Sequence, residues 1–142
     1  MTTVAYRDGV LAVDSQVTDG NRFEGAAIKW RKGNGWVAAV AGSLSAINIL
    51  DEISILSNGR PVLPHKEMDE SSEGFIVTES GVFYFSRHGV TTWDAPFYAA
   101  GSGGTLAIGA MAHGASAEEA VQIACKYDTK TCEPVYALRV CD

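Results

Sequence analysis

The sequence predicts an α+β protein in which two mainly antiparallel sheets pack face to face and helices cover their outer faces. Strand-like segments fall into two groups, and short turn signals such as Asp-Gly, Gly-Asn-Gly and Ser-Gly join them. One helical pattern separates the two groups, and two more follow the second group. Because strands and helices do not alternate along the chain, the order argues against a parallel α/β sheet.

The first strand group starts almost at the first residue. The dipeptide Asp8-Gly9 is typical of a hairpin turn, a loop is predicted around residues 19–21, and another turn is predicted at residues 33–35. The predicted strands of this group cover residues 2–6, 10–13, 26–31 and 36–41. The first two strands form a hairpin, so the beginning of the chain is predicted to lie in a sheet.

The spacing of apolar residues then changes to that of a helix. The residues of this pattern are Leu44, Ile47, Leu50, Ile53 and Leu56. Ser43 can cap the start of the helix, and Asn58-Gly59 can end it in a left-handed conformation. Residues 60–72 hold two prolines, several charges and no period, so we predict a loop there.

The second half returns to strands and ends with two helices. The predicted strands cover residues 74–78, 82–86, 90–93 and 97–100. A Gly-Ser-Gly-Gly segment at residues 101–104 opens a helix that runs to about residue 113. Ser116 and Glu119 form a capping-box pattern, which starts a second helix running to about residue 127. An apolar segment over residues 134–140 follows.

The composition excludes several functional classes. The 142 residues are 46% hydrophobic and 20% charged, which is typical of one globular domain, and we predict a single domain over residues 1–142. A formal net charge of −6 argues against a nucleic-acid-binding protein, since such a protein needs a basic face. No apolar run is as long as a membrane span, and no basic segment followed by an apolar one marks a signal peptide.

The cysteines give no sign of a metal or redox site. Cys125, Cys132 and Cys141 lack CxxC spacing and have no histidine near them at the spacing of zinc ligands. We therefore expect neither a metal nor a cofactor. An odd number of cysteines without a signal peptide fits the reducing cytoplasm.

Thr2 is a candidate nucleophile because it becomes the first residue once Met1 is removed. Methionine aminopeptidase removes an initiator methionine when the next side chain is small, and threonine is small enough. The freed α-amine has a reference pKa of about 7.7–8.0, so it can take the proton of the threonine hydroxyl near neutral pH. With Met1 attached this nitrogen is an amide, so we expect the unprocessed chain to be inactive.

Three further residues fit such a nucleophile. Asp14 ends the second predicted strand, and Lys29 interrupts an apolar segment, so each points to solvent or is held inside by a partner. If the two pair close to Thr2, the lysine stabilises its alkoxide by charge. Gly42 lies where a strand leads into a helix, and its amide could donate to a developing oxyanion.

The motifs, taken in order, resemble a known family. Residues 2–15, Thr-Thr-Val-Ala-Tyr-Arg-Asp-Gly-Val-Leu-Ala-Val-Asp-Ser, are similar to the start of a mature proteasome β subunit, and even more to that of the bacterial peptidase HslV. The resemblance continues at Lys29, at residues 40–43, at the Tyr-Ala-Ala-Gly-Ser-Gly-Gly segment of residues 98–104, and at residues 128–131. It therefore spans nearly the whole chain.

The resemblance implies the N-terminal-nucleophile hydrolase fold, a four-layer αββα sandwich, and a role for each matching residue. Thr2 would be the nucleophile, and its own amine would be the base. Asp14 and Lys29 would form the adjacent charge pair, and Gly42 would supply the oxyanion amide. The residues implied to hydrogen-bond around the α-amine are Ser102, Asp128 and Thr131. The residues implied to shape an apolar specificity pocket are Val17, Ala27 and Val40.

The implied activity is hydrolysis of peptide bonds in polypeptide substrates through an acyl-enzyme on Thr2. The family also implies a homo-oligomeric ring whose sites face an inner chamber, and an AAA+ unfoldase ATPase that feeds it. Two alternatives stay open from the sequence. One is an inactive subunit of the same fold that serves as an assembly or binding module, and the other is an amidase for small substrates.

Overall fold

The computed structural model of the chain describes residues 2–19, 22–63, 68–131 and 133–141. Several predicted features therefore lie outside the described residues. They are Met1, Gly20 and Asn21 of the first predicted loop, residues 64–67 of the second loop, and Cys132.

The described elements follow one another in the order that the sequence predicts, with additional short strands. In chain order the strands are β1 (Thr3–Arg7), β2 (Val10–Val13), β3 (Gln16–Asp19), β4 (Arg22–Ala26), β5 (Trp30–Gly33), β6 (Trp36–Ala41), β7 (Ser54–Ile55), β8 (Pro61–Val62), β9 (Glu73–Thr78), β10 (Gly81–Ser86), β11 (Gly89–Trp93), β12 (Phe97–Gly101) and β13 (Tyr136–Leu138). The helices are α1 (Leu44–Ile49), α2 (Gly104–Ala112) and α3 (Ala117–Tyr127).

Two antiparallel sheets form the body of the molecule. The first has the strand order β12-β1-β2-β13, and the second has the order β11-β10-β9-β6-β5. Strands β3 and β4 form a separate hairpin, as do β7 and β8. In the first sheet Thr3 pairs with Gly101, so the residue after Thr2 lies beside the start of the Gly-Ser-Gly-Gly segment.

Three apolar clusters separate four layers. In β1, Val4 packs between the two sheets, whereas its neighbour Ala5 packs against α2 and α3, because successive side chains of a strand point to opposite faces. The third cluster lies beneath the second sheet, where Ile76 meets Ile47 of α1. The predicted α+β architecture, with two sheets between outer helices, is confirmed.

Several predicted elements are also confirmed. The first hairpin has the predicted strands, and the second strand group matches to within one or two residues at each end. The capping box at the start of α3 is complete, since Ser116 Oγ accepts from the Glu119 N–H at 3.1 Å and Glu119 Oε1 accepts from the Ser116 N–H at 2.9 Å. No helix within the described ranges has both the length and the apolar character needed to cross a membrane.

The prediction for the first helix is wrong in length. Helix α1 ends at Ile49, and after a short 3₁₀ turn Ile53 has an extended backbone with ψ 131°. Asn58-Gly59, predicted as a helix end, instead forms the turn between β7 and β8, where Leu56 N–H donates to the Arg60 carbonyl at 2.9 Å. Asn-Gly is a hairpin signal as well as a helix stop, and here the hairpin forms.

The strand predicted over residues 26–31 is interrupted. Strand β4 ends at Ala26 and β5 begins at Trp30, while the hairpin of β3 and β4 was not predicted. Between them, the Ala27 N–H donates to the Ser15 carbonyl at 2.8 Å, and the Lys29 carbonyl accepts from Val40 N–H at 3.1 Å. These bonds fix the segment that carries Lys29 against the end of the first hairpin.

Candidate active site

Three polar side chains meet at the start of β1. Thr2 is 1% exposed, Lys29 is 4% exposed and Asp14 is fully buried. The Lys29 ammonium donates a hydrogen bond to Thr2 Oγ1, and its Nζ lies 3.2 Å from Asp14 Oδ1. The lysine therefore bridges the hydroxyl and the carboxylate in a region with almost no contact to solvent.

Asp14 is held in place by the first hairpin. It follows β2 directly, and its N–H donates to the Thr3 carbonyl at 3.3 Å, which continues the ladder between β1 and β2. Its carboxylate accepts from the Thr3 N–H at 3.1 Å on one oxygen and from the Gln16 N–H at 3.1 Å on the other. These two backbone donors and the lysine fix the orientation of the carboxylate.

Burial and the contact with Asp14 have opposite effects on the pKa of Lys29. Burial lowers the pKa of Lys29 below its ordinary value, because a charged ammonium loses its hydration in the interior. The charge of Asp14 and the hydrogen bond to it act in the opposite direction but do not cancel the effect of burial. The ammonium is therefore closer to losing its proton than that of a surface lysine.

Gly42 lies at the junction of β6 and α1. Its φ of 130° is one that residues with a side chain rarely adopt, and a Cβ there would lie 2.5 Å from Ser72 Oγ. Gly101 lies between this junction and Thr2, since a Cβ added to it would lie 1.7 Å from the Thr2 carbonyl oxygen and 3.1 Å from Ala41 Cβ. The residue before Gly42 and the carbonyl of Thr2 thus share one neighbour.

Ser72 fixes the Gly42–Ser43 junction from the other side. Its side chain is fully buried, its Oγ donates to Asp69 Oδ1 at 2.9 Å, and it accepts from the Ser43 N–H at 3.4 Å. Hydrogen bonds from Ser71, Ser43 and Ser72 lower the pKa of Asp69 to about 2. Sequence reasoning missed this support, because residues 60–72 gave no signal beyond that of a loop.

A second polar group joins the end of α3 to the start of β1. Asp128 Oδ2 accepts from Ser102 Oγ at 2.7 Å and from Thr131 Oγ1 at 2.5 Å. Thr131 Oγ1 also lies 2.8 Å from Thr3 Oγ1. The three residues that the family resemblance places around the amine are thus hydrogen-bonded to one another and connected to Thr3, the neighbour of Thr2.

The segment after Asp128 is tied down by two residues that sequence reasoning did not single out. Gln16 Nε2 donates to the Thr129 carbonyl at 2.9 Å, and Ser15 Oγ donates to the Pro134 carbonyl at 2.5 Å. Both residues directly follow Asp14, so the connection between β2 and β3 supports the carboxylate and the segment of Thr131 together. A polar pair after a strand carries no sequence signal for such a role.

The three predicted pocket residues lie in different surroundings. Val40 is 1% exposed and belongs to the cluster beneath the second sheet, and Ala27 packs against that same cluster. Val17 lies on β3 and is partly buried. Their role in substrate specificity stays a prediction. Among the residues that the structure describes, no group of three His, Cys, Asp or Glu side chains could hold a metal ion.

The layers, the strand order and the buried position of Thr2 match the αββα fold of N-terminal-nucleophile hydrolases. No protein-family model and no curated protein matches the sequence. Among solved structures, the chain is similar to Thiobacillus denitrificans BPH.

The complex of that BPH with epoxomicin superposes with a TM-score of 0.70 at 23% identity, covering 99% of each chain. A second BPH structure gives a TM-score of 0.71 at 22% identity over 98% of this chain and 97% of that one. HslV from Trypanosoma brucei gives a TM-score of 0.67 at 21% identity over 97% of this chain and 98% of that one. The resemblance predicted from the motifs is therefore confirmed for the fold.

Proposed function

We propose that the chain is a threonine peptidase whose nucleophile is Thr2 Oγ1 after removal of Met1. The observation that carries this proposal is the hydrogen bond from the buried Lys29 ammonium to Thr2 Oγ1, with Asp14 holding the lysine. A cation in this place lowers the pKa of the hydroxyl, and it acts at short range in a site that excludes water.

The reaction begins with proton transfer within one residue. The free α-amine of Thr2 takes the hydroxyl proton as Oγ1 attacks the carbonyl carbon of the substrate. The carbonyl π electrons move to its oxygen, and the Gly42 N–H donates to this oxyanion. When the intermediate collapses, the C–N bond breaks, and the leaving nitrogen takes the proton from the Thr2 ammonium.

The resulting ester on Thr2 is then hydrolysed. The α-amine takes a proton from a water molecule, whose oxygen attacks the ester carbon, and Oγ1 leaves and recovers a proton from the ammonium. The Ser102, Asp128 and Thr131 group is proposed to orient the amine through both steps. Its connection to Thr3 supports this role, since Thr3 is bonded to the residue that carries the amine.

The proposed substrates are polypeptides, and the proposed assembly is a homo-oligomeric ring in the cytoplasm that an AAA+ unfoldase feeds. The shared fold with HslV supports this assembly. Exposed apolar side chains in the outer layer also support it, because they offer surface for contacts between subunits. They are Leu44, Leu56 and Val62, with exposed fractions of 57%, 48% and 44%.

Intact-mass measurement after treatment with epoxomicin tests the nucleophile. An epoxyketone presents a carbonyl and an epoxide, which a hydroxyl and a neighbouring amine can both attack. We expect one adduct on Thr2 of the processed chain and none on Thr2→Ala. The matched control is Thr105→Ala, which removes an exposed threonine at the start of α2 and should leave labelling unchanged.

Two outcomes contradict the proposal in different ways. An adduct that persists in Thr2→Ala rules out Thr2 as the nucleophile. A purified chain that retains Met1 and forms no adduct supports the inactive subunit instead, since its nitrogen is then an amide.

A further inference from the structure

One carboxylate crosses the interface between the two sheets near the proposed site. Glu73 is the first residue of β9 in the second sheet and is partly buried. Its Oε1 accepts from the Gly101 N–H at 3.1 Å, and Gly101 ends β12 in the first sheet. Its Oε2 accepts from the Tyr84 hydroxyl at 2.6 Å. Both oxygens therefore have a donor, one from each sheet.

Glu73 lies between the two halves of the site. Its backbone pairs with Ala41, the residue before Gly42. Its side chain holds Gly101, which packs against the Thr2 carbonyl with a φ of 93° and directly precedes Ser102. The same residue thus adjoins the segment of the oxyanion amide and the segment that binds Asp128.

We propose that Glu73 is a positioning residue that sets the distance between Thr2 and Gly42 by holding Gly101 against the second sheet. This inference rests on the proposed function. Glu73 acts through Gly101 and Ala41, and its role is geometric: it joins two sheets at the point where nucleophile and oxyanion donor come from different sheets. Small displacements of reacting groups are costly, and about 1 Å can slow a reaction on the order of a hundredfold.

Tyr84 contributes by orienting the carboxylate. Burial, followed by the hydrogen bond and charge of Glu73, raises the pKa of Tyr84 above its usual value, so the hydroxyl remains a donor. Its ring packs edge-on against Phe75 in the cluster between the sheets, with centroids 5.7 Å apart. The carboxylate is thereby anchored to the second sheet by a side chain that is itself held by packing.

The test uses the rate of epoxomicin adduct formation on Thr2, measured by intact mass at several epoxomicin concentrations. For Glu73→Ala we expect the maximal rate to fall on the order of tenfold or more, with little change in the half-saturating concentration. Glu73→Gln should restore most of the rate, because its amide oxygen can accept from Gly101 and its amide NH₂ can donate to the Tyr84 oxygen. The matched control is Glu79→Ala, an exposed carboxylate just beyond the other end of β9.

The outcomes separate this inference from the proposed function. If the wild-type chain is labelled and Glu73→Ala is labelled at the same maximal rate, the positioning role is overturned alone. Failure of Glu73→Gln to restore the rate also overturns it, since the effect then belongs to the charge. Absence of any adduct on the wild-type chain overturns the proposed function and with it the role of Glu73. If Glu73→Ala does not fold, Glu73→Asp supplies the comparison, because it is one methylene too short to reach Gly101.

Discussion

A single buried lysine lies at the centre of the proposed chemistry. The Lys29 ammonium contacts the Thr2 hydroxyl on one side and the Asp14 carboxylate on the other. Because burial disfavours the charged lysine, its charge depends on Asp14, and in the proposed mechanism the stabilisation of a Thr2 alkoxide depends in turn on that charge. In that mechanism the three residues act as one unit, because Asp14 supports the charge of Lys29 and this charge stabilises the Thr2 alkoxide.

Removal of Asp14 should destabilise the fold strongly. Asp14→Ala leaves a buried ammonium without its carboxylate, which typically costs about 3–5 kcal/mol, and we expect the free energy of unfolding in urea to fall by about this amount. The matched control is Asp51→Ala. It breaks an ion pair with Arg31 at 2.6 Å whose side chains are 31% and 57% exposed, and a loss below about 1 kcal/mol is expected. Equal losses in the two variants would contradict the buried role of Asp14.

Junctions between secondary-structure elements build the site. Thr2 precedes β1, Gly42 follows β6, Gly101 ends β12, and Asp128 follows α3. At two of these junctions a glycine with positive φ lets backbone segments approach more closely than a side chain would permit. The strands and helices hold these ends in position, and the ends carry the polar groups.

Gly42→Ala tests the junction of β6 and α1. The variant adds a Cβ 2.5 Å from Ser72 Oγ at a φ of 130°, so we expect a loss of about 1–3 kcal/mol in the free energy of unfolding and slower epoxomicin labelling of Thr2. Gly81→Ala is the matched control, because its φ of 144° is similar and nothing lies within 4 Å of the added Cβ. Strain should destabilise both variants, but only Gly42→Ala should slow the labelling of Thr2. Unchanged labelling in Gly42→Ala, or an equal fall in both variants, would contradict a specific role for Gly42.

Elements with a complete local sequence signal could be predicted, and elements that depend on distant contacts could not. The Asp8-Gly9 turn and the Ser116–Glu119 capping box could be predicted because each is complete within a few residues. The length of α1 could not, because Asn58-Gly59 fits a helix end and a hairpin equally well. The choice between them depends on the pairing of β7 with β8, which is formed only in the folded chain.

At the scale of the whole molecule, the fold brings together groups that are distant in the sequence. Lys29 reaches Thr2 across 27 positions, and Thr131 reaches Thr3 across 128. The resemblance of motifs singles out Thr2, Lys29 and Thr131, since each stands in a recognisable segment, but it assigns no role to Thr3. Glu73 and Ser72 do not lie in a recognisable segment. Their positions become apparent only from the contact of Glu73 with Gly101 between the sheets and the contact of Ser72 with Asp69 across the loop.

The pH dependence of epoxomicin labelling on the processed wild-type chain tests the joint action of amine and lysine most directly. The rate should rise as the α-amine loses its proton, around its reference pKa of about 7.7–8.0, because only the free amine can act as a base. It should fall again below pH 10.5, the ordinary pKa of lysine, because burial lowers the pKa of Lys29 and a neutral lysine cannot stabilise an alkoxide.

Deprotonation of Lys29 does not unfold the chain, so unfolding caused by this residue cannot explain the fall in the labelling rate at alkaline pH. With its pKa lowered in the folded state, the unfolded chain binds more protons between the two pKa values, so this group makes the fold more stable as pH rises through that window. Circular dichroism at each pH checks that the chain stays folded. We predict a bell-shaped rate profile whose alkaline limb lies below pH 10.5. A rate that stays level or continues to rise beyond that pH, in a folded chain, would contradict the role of the lysine charge.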